Sequence, residues 1–286
     1  MRAVLLAATF QIAVMGAAFG QQALDQGPDV VVTAPHESTE EAARGFVHAI
    51  TAAPTPYWQA PIWHNDVCFG LIGMQAPMAR AILDRIGQNA HDLNIGVSAP
   101  GCEPNVLIVF TADVNAVVAE ADRHRLRYMG VDKEHGVSMG VGAWRDFMET
   151  PRPVRWWHVS RLMTRDNVPA DSATVYLYDA GYIHEPTHLN LHHVFIVVDN
   201  ARVNGVTVTA LADYLTMAAL AQIDPNADLA GTPSILNLFA QNGGATAGLT
   251  DWDTAYLRGL YAAIPEASHP AQLERDIAHR MAGSLN

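Results

Sequence analysis

Residues 184–188 spell H-E-P-T-H, which matches the H-E-x-x-H string of zinc peptidases. In those enzymes a helix places the two histidines one turn apart and holds the glutamate beside the metal-bound water. Here Pro186 stands at the centre of the string, where proline removes a backbone N–H and costs about 3 kcal/mol inside a helix. The flanking residues read as strands, so we expect a connection between strands. The alternative is a loop-borne zinc site in the region from His184 to His193, assembled from His184, His188 and the nearby His192 and His193.

Residues 136–140 spell G-V-S-M-G, which matches the G-x-S-x-G elbow of serine hydrolases and would make Ser138 the nucleophile. That elbow requires a buried strand directly before it and a helix directly after it. The preceding residues, V-D-K-E-H at 131–135, are too charged for a central strand, and Gly142 weakens a following helix. We therefore expect a flexible surface loop. A hydrolase that acts through Ser138 stays open as an alternative.

Residues 224–228 (D-P-N-A-D) are similar to the opening of a calcium-binding loop, but the pattern then breaks down. Leu229 stands where the turn glycine is expected, and Ile235 stands where a bidentate glutamate is expected. We expect a turn after a long helix. No phosphate-binding loop or dinucleotide fingerprint occurs in the sequence, so we assign no cofactor. Because the zinc-peptidase, serine-hydrolase and calcium patterns each break down, we also assign no metal-binding residue and no catalytic residue.

Four tryptophans occur in two aromatic segments, at Trp58 and Trp63 and at Trp156 and Trp157. Large aromatic side chains usually belong to the core, but an exposed cluster of them would form a surface for a peptide or a glycan. Exposure of these four side chains would therefore favour a binding function.

The composition is that of an acidic globular protein. Half of the 286 residues are hydrophobic and 16% are charged, which excludes a disordered chain. The 17 Lys and Arg residues against 29 Asp and Glu residues give a formal net charge of −12. That charge repels phosphate backbones, so we exclude nucleic acid as a partner.

Residues 1–20 have the pattern of a signal peptide: a basic start at Arg2, an apolar run, and small residues near the end. We expect cleavage near Gln21, which leaves a single secreted globular domain over residues 21–286 and no stable membrane span. The expected location is periplasmic or extracellular. The alternative is an uncleaved membrane anchor, since about 18 apolar residues sit at the lower limit for spanning a bilayer.

Cys68 and Cys102 each lie next to an apolar run, and an oxidising compartment would allow them to pair. If those runs are neighbouring strands joined by a helix, a disulfide near their starts is geometrically plausible. The loop-entropy relation gives such a bridge about 3.8 kcal/mol for a loop of about 35 residues. We predict a Cys68–Cys102 disulfide, with two buried free thiols as the alternative.

Apolar periodicity predicts an α/β or α+β domain with a β-α-β unit, a mixed sheet and a helical C-terminal third. A capping box at Ser38 and Glu41 opens the first helix, which we expect to end near residue 52. The strands are expected at 67–74, 106–110, 155–163, 173–178 and 194–198. The later helices are expected from Pro77, from Asp113, and over 207–223, 234–240, 250–263 and 272–282.

Several segments together resemble an uncharacterised family of secreted proteins from Gram-negative bacteria. They are G-F-V-H-A-I at 45–50, C-F-G-L-I-G at 68–73, C-E-P-N-V-L-I-V-F-T at 102–111, L-A-D-Y-L at 211–215, P-S-I-L-N-L at 233–238 and L-T-D-W-D at 249–253. This resemblance covers most of the mature chain and implies no particular activity.

More distantly, the plan is similar to zincin-like putative peptidases, in which a β-rich half leads into an active-site helix. By position that helix would be 207–223, where residues 212–216 (A-D-Y-L-T) include no histidine and no glutamate. The resemblance therefore implies a peptidase-like scaffold that lacks the zinc motif.

The function we expect is that of a non-catalytic binding or envelope-associated module. Its partner would be a protein, a peptide or a component of the cell envelope. The alternative is a secreted hydrolase that uses zinc or Ser138, and a third interpretation is a purely structural secreted protein. Clustering of the histidines or of Ser138 with a base in one cleft would favour the enzyme.

Overall fold

The computed structural model describes residues 38–54, 57, 59–124, 129–131, 136–164, 166–170, 187–240, 247–263 and 269–285. The expected signal peptide, Trp58, the strand expected at 173–178 and the first three residues of the H-E-P-T-H string lie outside these ranges. Within them, no helix is both long enough and apolar enough to cross a membrane.

The described strands form one mixed sheet, which confirms the expected fold class. The strands are β1 (Phe69–Ile72), β2 (Val106–Thr111), β3 (Val154–Thr164) and β4 (Thr187–Asp199), and they lie in the order β1-β2-β4-β3. β1, β2 and β4 are parallel, whereas β3 runs antiparallel to β4 and forms one edge.

Helices precede the sheet, connect its strands and fill the C-terminal third. They are α1 (Thr39–Ile50), α2 (Ala76–Asp92), α3 (Val114–Arg123), α4 (Gly140–Glu149), α5 (Val208–Leu220), α6 (Asp251–Ala262) and α7 (Pro270–Leu285), with a 3-10 turn at Ile235–Phe239. The predicted β-α-β unit is β1-α2-β2, and the predicted helical C-terminal third is also confirmed. The sequence pattern did not predict α4.

Short polar side chains begin most of these helices by accepting a hydrogen bond from a free backbone N–H of the first turn. Ser38, Asp113 and Thr207 each accept from the N–H three residues later, at 3.0 to 3.2 Å. At α6, Thr250 and Asp253 form a reciprocal capping box. These caps fix the helix starts that the sequence predicted.

The sheet is covered on both faces, which explains why β2 is apolar along its length. Val106, Ile108 and Phe110 face the larger core cluster, to which α1, α2, α5, α6 and α7 contribute. The opposite face, which includes Trp157 of β3, packs on a smaller cluster with side chains from α3 and α4, including Val118 and Trp144.

Helix α5 is buried on every side, from Ala210 to Leu220, and it carries one carboxylate into the core. Asp213 is fully buried. It accepts hydrogen bonds from Arg85 at 2.7 and 2.8 Å, from the Asn89 amide at 2.8 Å, and from the Leu249 N–H at 2.9 Å. A Cβ at Gly248 would lie 2.5 Å from Asp213 Oδ2, so the close approach of that loop requires glycine. The carboxylate thus joins α2, α5 and the loop before α6.

The hydrogen bonds decide the ionisation of Asp213. Burial alone raises the pKa of a carboxyl group, but the donors from Arg85, Asn89 and Leu249 outweigh it and hold the pKa of Asp213 below its usual range. The group is therefore a carboxylate at neutral pH, as the four hydrogen bonds that it accepts require.

Replacement of this carboxylate tests its role. Asp213→Asn keeps the side-chain volume but turns one acceptor into a donor, which faces the donors of its neighbours. We expect the free energy of unfolding at pH 7 to fall by about 2–3 kcal/mol in urea denaturation. The matched control is Glu40→Gln, which breaks exposed contacts with Arg44 on α1 and His279 on α7 and should cost less than about 1 kcal/mol. Equal effects of the two changes would contradict this account.

The predicted disulfide between Cys68 and Cys102 is confirmed. Cys68 lies directly before β1, and Cys102 lies in the return loop that leads to β2. The Asn105 side chain supports the same corner by accepting from the Cys68 N–H at 2.8 Å. The bridge therefore ties the entry of β1 to the entry of β2.

Removal of the bridge should be costly because it closes a long loop of the unfolded chain. For Cys68→Ala combined with Cys102→Ala, we expect the free energy of unfolding to fall by about 3–4 kcal/mol. Urea denaturation with and without dithiothreitol measures it. Reduction should shift the parent to the stability of the double variant and leave the variant unchanged; a parent that is insensitive to reduction would contradict the assignment.

Candidate functional site

The two described residues of the H-E-P-T-H string, Thr187 and His188, lie on a strand and not on a helix. Thr187 and His188 are the first residues of β4, so the connection expected over this region ends earlier than predicted. His188 is buried, its ring lies 4.4 Å from that of His64, and its Nε2 lies 3.0 Å from Asn167 Oδ1. Strand geometry at residues 187 and 188 excludes the helical turn that the peptidase motif needs. His184 lies outside the described residues.

His192 and His193 lie at a register shift of β4 opposite Val159 and Ser160, with their rings 4.2 Å apart. Burial, the neighbouring His193 and Arg161 lower the pKa of His192 to about 4. Burial likewise lowers the pKa of His193. Among the described residues, no three or more His, Cys, Asp or Glu side chains are placed to hold a metal ion.

The expectation of a flexible surface loop at Ser138 is wrong. Ser138 is only 4% exposed, and α4 begins two residues later despite Gly142. The Ser138 hydroxyl donates to the Gly130 carbonyl at 3.0 Å and accepts from the Gly140 N–H at 3.3 Å. Neither partner is a base, so the hydroxyl organises the start of α4.

The three of these tryptophans that the structure describes do not form the exposed patch that would have favoured a binding surface. Trp63, Trp156 and Trp157 are buried. Their indole N–H groups donate to the carbonyls of Ala219, Ile223 and Met129, respectively, at 2.8 to 3.1 Å. They are core residues whose one polar atom is satisfied by the backbone.

A cavity of about 420 Å³ lies along the edge strand β3, and we call it the β3 cleft. Its walls are the start of α4 (Met139, Gly142, Ala143 and Asp146) and the turn after α5 (residues 222–226). Its floor is β3 from Arg155 to His158. The turn at 224–228 was predicted from the failed calcium pattern and is confirmed.

Arg155 is the unusual residue of the cleft. It is 5% exposed, and its Nη1 donates to the carbonyls of Phe147 and Met148 at the C-terminal end of α4. Within the described ranges its Nε has no hydrogen-bond partner and its guanidinium forms no ion pair. Burial and the nearby Arg152 and Arg202 lower the pKa of this guanidinium, with Asp199 and Asp146 acting in the opposite direction. Arginine is rarely buried without a carboxylate partner.

Two sets of side chains bridge the walls of the cleft. Arg152 contacts Asp146 at 2.9 Å and Asn226 at 2.5 Å. Further along, Gln222 Nε2 lies 3.2 Å from Met139 Sδ, a weak acceptor. Gln222 is 2% exposed, and its Oε1 has no partner among the described residues. Arg155 Nε and Gln222 Oε1 are therefore both buried in the cleft walls without a partner among the described residues.

His158 lies at the end of the cleft floor, and its imidazole ring is neutral. Its Nε2 lies 2.8 Å from the Ala218 carbonyl, which can only accept, so the ring proton is on Nε2. Burial lowers the pKa of His158 to about 4, although the carbonyls of Ala218 and Ala221 favour the protonated form. A ring with this pKa is a poor general base at neutral pH.

The low pKa of His158 makes the stability depend on pH. Its folded-state pKa of about 4 lies below its ordinary value of 6.5, so the unfolded chain takes up the proton first as pH falls. The stabilisation is present above pH 6.5 and is lost between pH 6.5 and 4. We expect the parent to lose about 2 kcal/mol more than His158→Gln between pH 7.5 and pH 5. Urea denaturation at both pH values measures this difference, and parallel losses would contradict the low pKa.

Comparison with known proteins gives no relative for this arrangement: no protein-family model, no curated protein and no solved structure matches the chain. The resemblance to secreted proteins and to zincin-like peptidases therefore stays a prediction.

The R-W-W-H segment at 155–158 stands out in the sequence for its aromatic residues. The informative residue was Arg155, a charge inside a strand that is otherwise buried. Gln222 carries no sequence signal, and Asn226 stands out only within the calcium-like string, because only the fold brings the end of α5 beside β3.

Proposed function

We propose that this protein is a secreted, non-catalytic binding module whose site is the β3 cleft, and that its ligand is a small organic anion. The observation that carries the proposal is Arg155, a buried guanidinium without an ion pair in the described part of the chain, at the floor of a cavity. An anionic group in the cleft would supply the countercharge that the described residues do not give this guanidinium.

The lining favours an organic anion over an inorganic ion. Phe147, Trp156, Trp157 and Ile223 contribute apolar surface beside the polar groups of Arg155 and Gln222. The volume of about 420 Å³ falls within the range of about 300–1,000 Å³ that is typical of small-molecule sites. The chain is acidic overall and repels anions, whereas the buried guanidinium of Arg155 attracts an anionic ligand to the cleft.

The chemistry of the neighbouring groups supports a binding role. The Ser138 hydroxyl is engaged by two backbone groups, and His158 titrates far below neutral pH. The Cys68–Cys102 disulfide supports secretion, because such bonds persist in oxidising compartments.

Blocking the cleft tests this function. Gly142 lines the cleft and a Cβ there would meet nothing within 4 Å, so Gly142→Leu adds apolar bulk at the cleft wall. We expect 4-phenylbutyrate and octanoate to raise the melting temperature of the parent by about 3–6 °C at ten times their Kd. Their uncharged primary amides should raise it far less, and Gly142→Leu should abolish the shift.

The matched control is Gly45→Leu on α1. Gly45 is also an exposed helical glycine with nothing within 4 Å of its Cβ, but it does not line the cleft. Gly45→Leu should keep the full ligand-induced shift. The proposal fails if neither acid binds the parent, or if Gly142→Leu and Gly45→Leu respond alike.

A further inference from the structure

The edge of β3 that faces the cleft can be assigned from its backbone hydrogen bonds. Ser160 exchanges two bonds with Val137, each 2.7 Å long, on the side away from β4. The Pro153 carbonyl, in contrast, accepts from Asp199 N of β4. Because successive residues of a strand point their backbone groups to opposite edges, Trp156 and His158 share the outer edge with Ser160. The register shift at Ser160 does not alter this alternation, since the extra residue, His192, belongs to β4.

Val137 occupies the outer edge at Ser160 only. Among the described residues, no backbone group pairs with the outer N–H and C=O groups of Trp156 and His158. These two residues lie on the cleft floor and their side chains are buried. An open strand edge can pair with another chain, and buried backbone groups require a partner.

The Gln222 side chain faces the same space from the opposite wall. Its amide has the same donor and acceptor groups as a peptide bond, its Oε1 has no partner among the described residues, and its Nε2 has only the weak contact with Met139. A peptide carbonyl in the cleft could accept from Nε2 in place of the Met139 sulfur.

We propose that the β3 cleft binds the C-terminal end of an extended peptide, which adds as a strand to Trp156 and His158 and places its free carboxylate at Arg155. This inference rests on the proposed function and specifies its ligand. Arg155 precedes His158 along β3, so the peptide runs antiparallel to β3, as Val137 does at Ser160. The anionic terminus complements the guanidinium, and this charge match selects a chain end over an internal segment.

The dimensions agree with a short peptide. Two residues along a strand cover about 7 Å, so a segment of about three residues reaches both open positions. The cross-wall contacts of Arg152 with Asn226 and of Gln222 with Met139 limit the length of the open edge.

The experiment measures binding of an acetylated pentapeptide library with free C-terminal carboxylates to the full mature protein by affinity selection. Single selected peptides are then compared with two modified forms. C-terminal amidation should weaken the Kd about tenfold, because it removes the charge-assisted hydrogen bond to Arg155. N-methylation of the peptide nitrogen nearest His158 should weaken it about fivefold, because it removes one strand hydrogen bond.

Hydrogen exchange of backbone amides reports strand addition directly. Peptide binding should slow exchange at Trp156 and His158 at least about tenfold, whereas the amides of Trp157 and Val159, which face β4, should change little. Gly142→Leu should abolish both binding and protection, and Gly45→Leu should retain both.

The outcomes separate this inference from the proposed function. If phenylbutyrate or octanoate binds in a manner blocked by Gly142→Leu but no peptide does, the peptide inference is overturned and the proposed function stands. If amidated and free-acid peptides bind equally, the assignment of the carboxylate to Arg155 is overturned. If neither acids nor peptides bind, or if binding persists in Gly142→Leu, both proposals are overturned.

Discussion

The position of α5 depends on one carboxylate. A helix that is apolar on every side has no polar face to fix its rotation, since any orientation buries similar surface. Asp213 removes that freedom, because its oxygens must meet Arg85, Asn89 and the Leu249 N–H together. Burying a charge is unfavourable unless it is paired and hydrogen-bonded, so incorrect rotations of α5 carry a large penalty. The carboxylate therefore orients α5 between α2 and the loop before α6.

The C-terminal end of α5 transmits this orientation to the core and the cleft. A helix leaves its last carbonyls without partners in the helix, and here side chains from three other parts of the chain supply donors. His158 donates to Ala218, Trp63 to Ala219 and the Tyr261 hydroxyl to Leu220. Gln222 follows directly and forms a wall of the cleft. Trp63, Tyr261 and the neutral His158 thus have a common role: each donates a hydrogen bond to a carbonyl at the end of α5.

The elements that the sequence predicted correctly carry local signals. Ser38, Asp113, Thr207 and Thr250 cap the helices, and the apolar run of β2 indicates a strand buried on both faces. The failures were at α4 and at the start of β4. The sequence did not predict α4, because Gly142 and the preceding charged residues disfavour a helix. The helix forms because Trp144 and Phe147 pack against Trp157. The sequence did not predict the first part of β4 as a strand, because it is rich in histidine. That part is a strand because it pairs with β3 along its length.

The sequence by itself determined the fold class, the β-α-β unit and the starts of the helices that carry a capping residue, because hydrophobic period and capping residues act over a few residues. It favoured the Cys68–Cys102 pair over free thiols, because each cysteine lies next to an apolar run of that unit. Only the tertiary structure decided the site. Arg155 lies on β3, and Gln222 lies more than sixty residues later, after α5. Whether a buried polar atom has a partner depends on which distant segments meet around it, and no local pattern encodes that meeting. The same limit explains why the sequence left open whether the tryptophans form a surface: the carbonyls that accept from Trp63, Trp156 and Trp157 belong to distant segments.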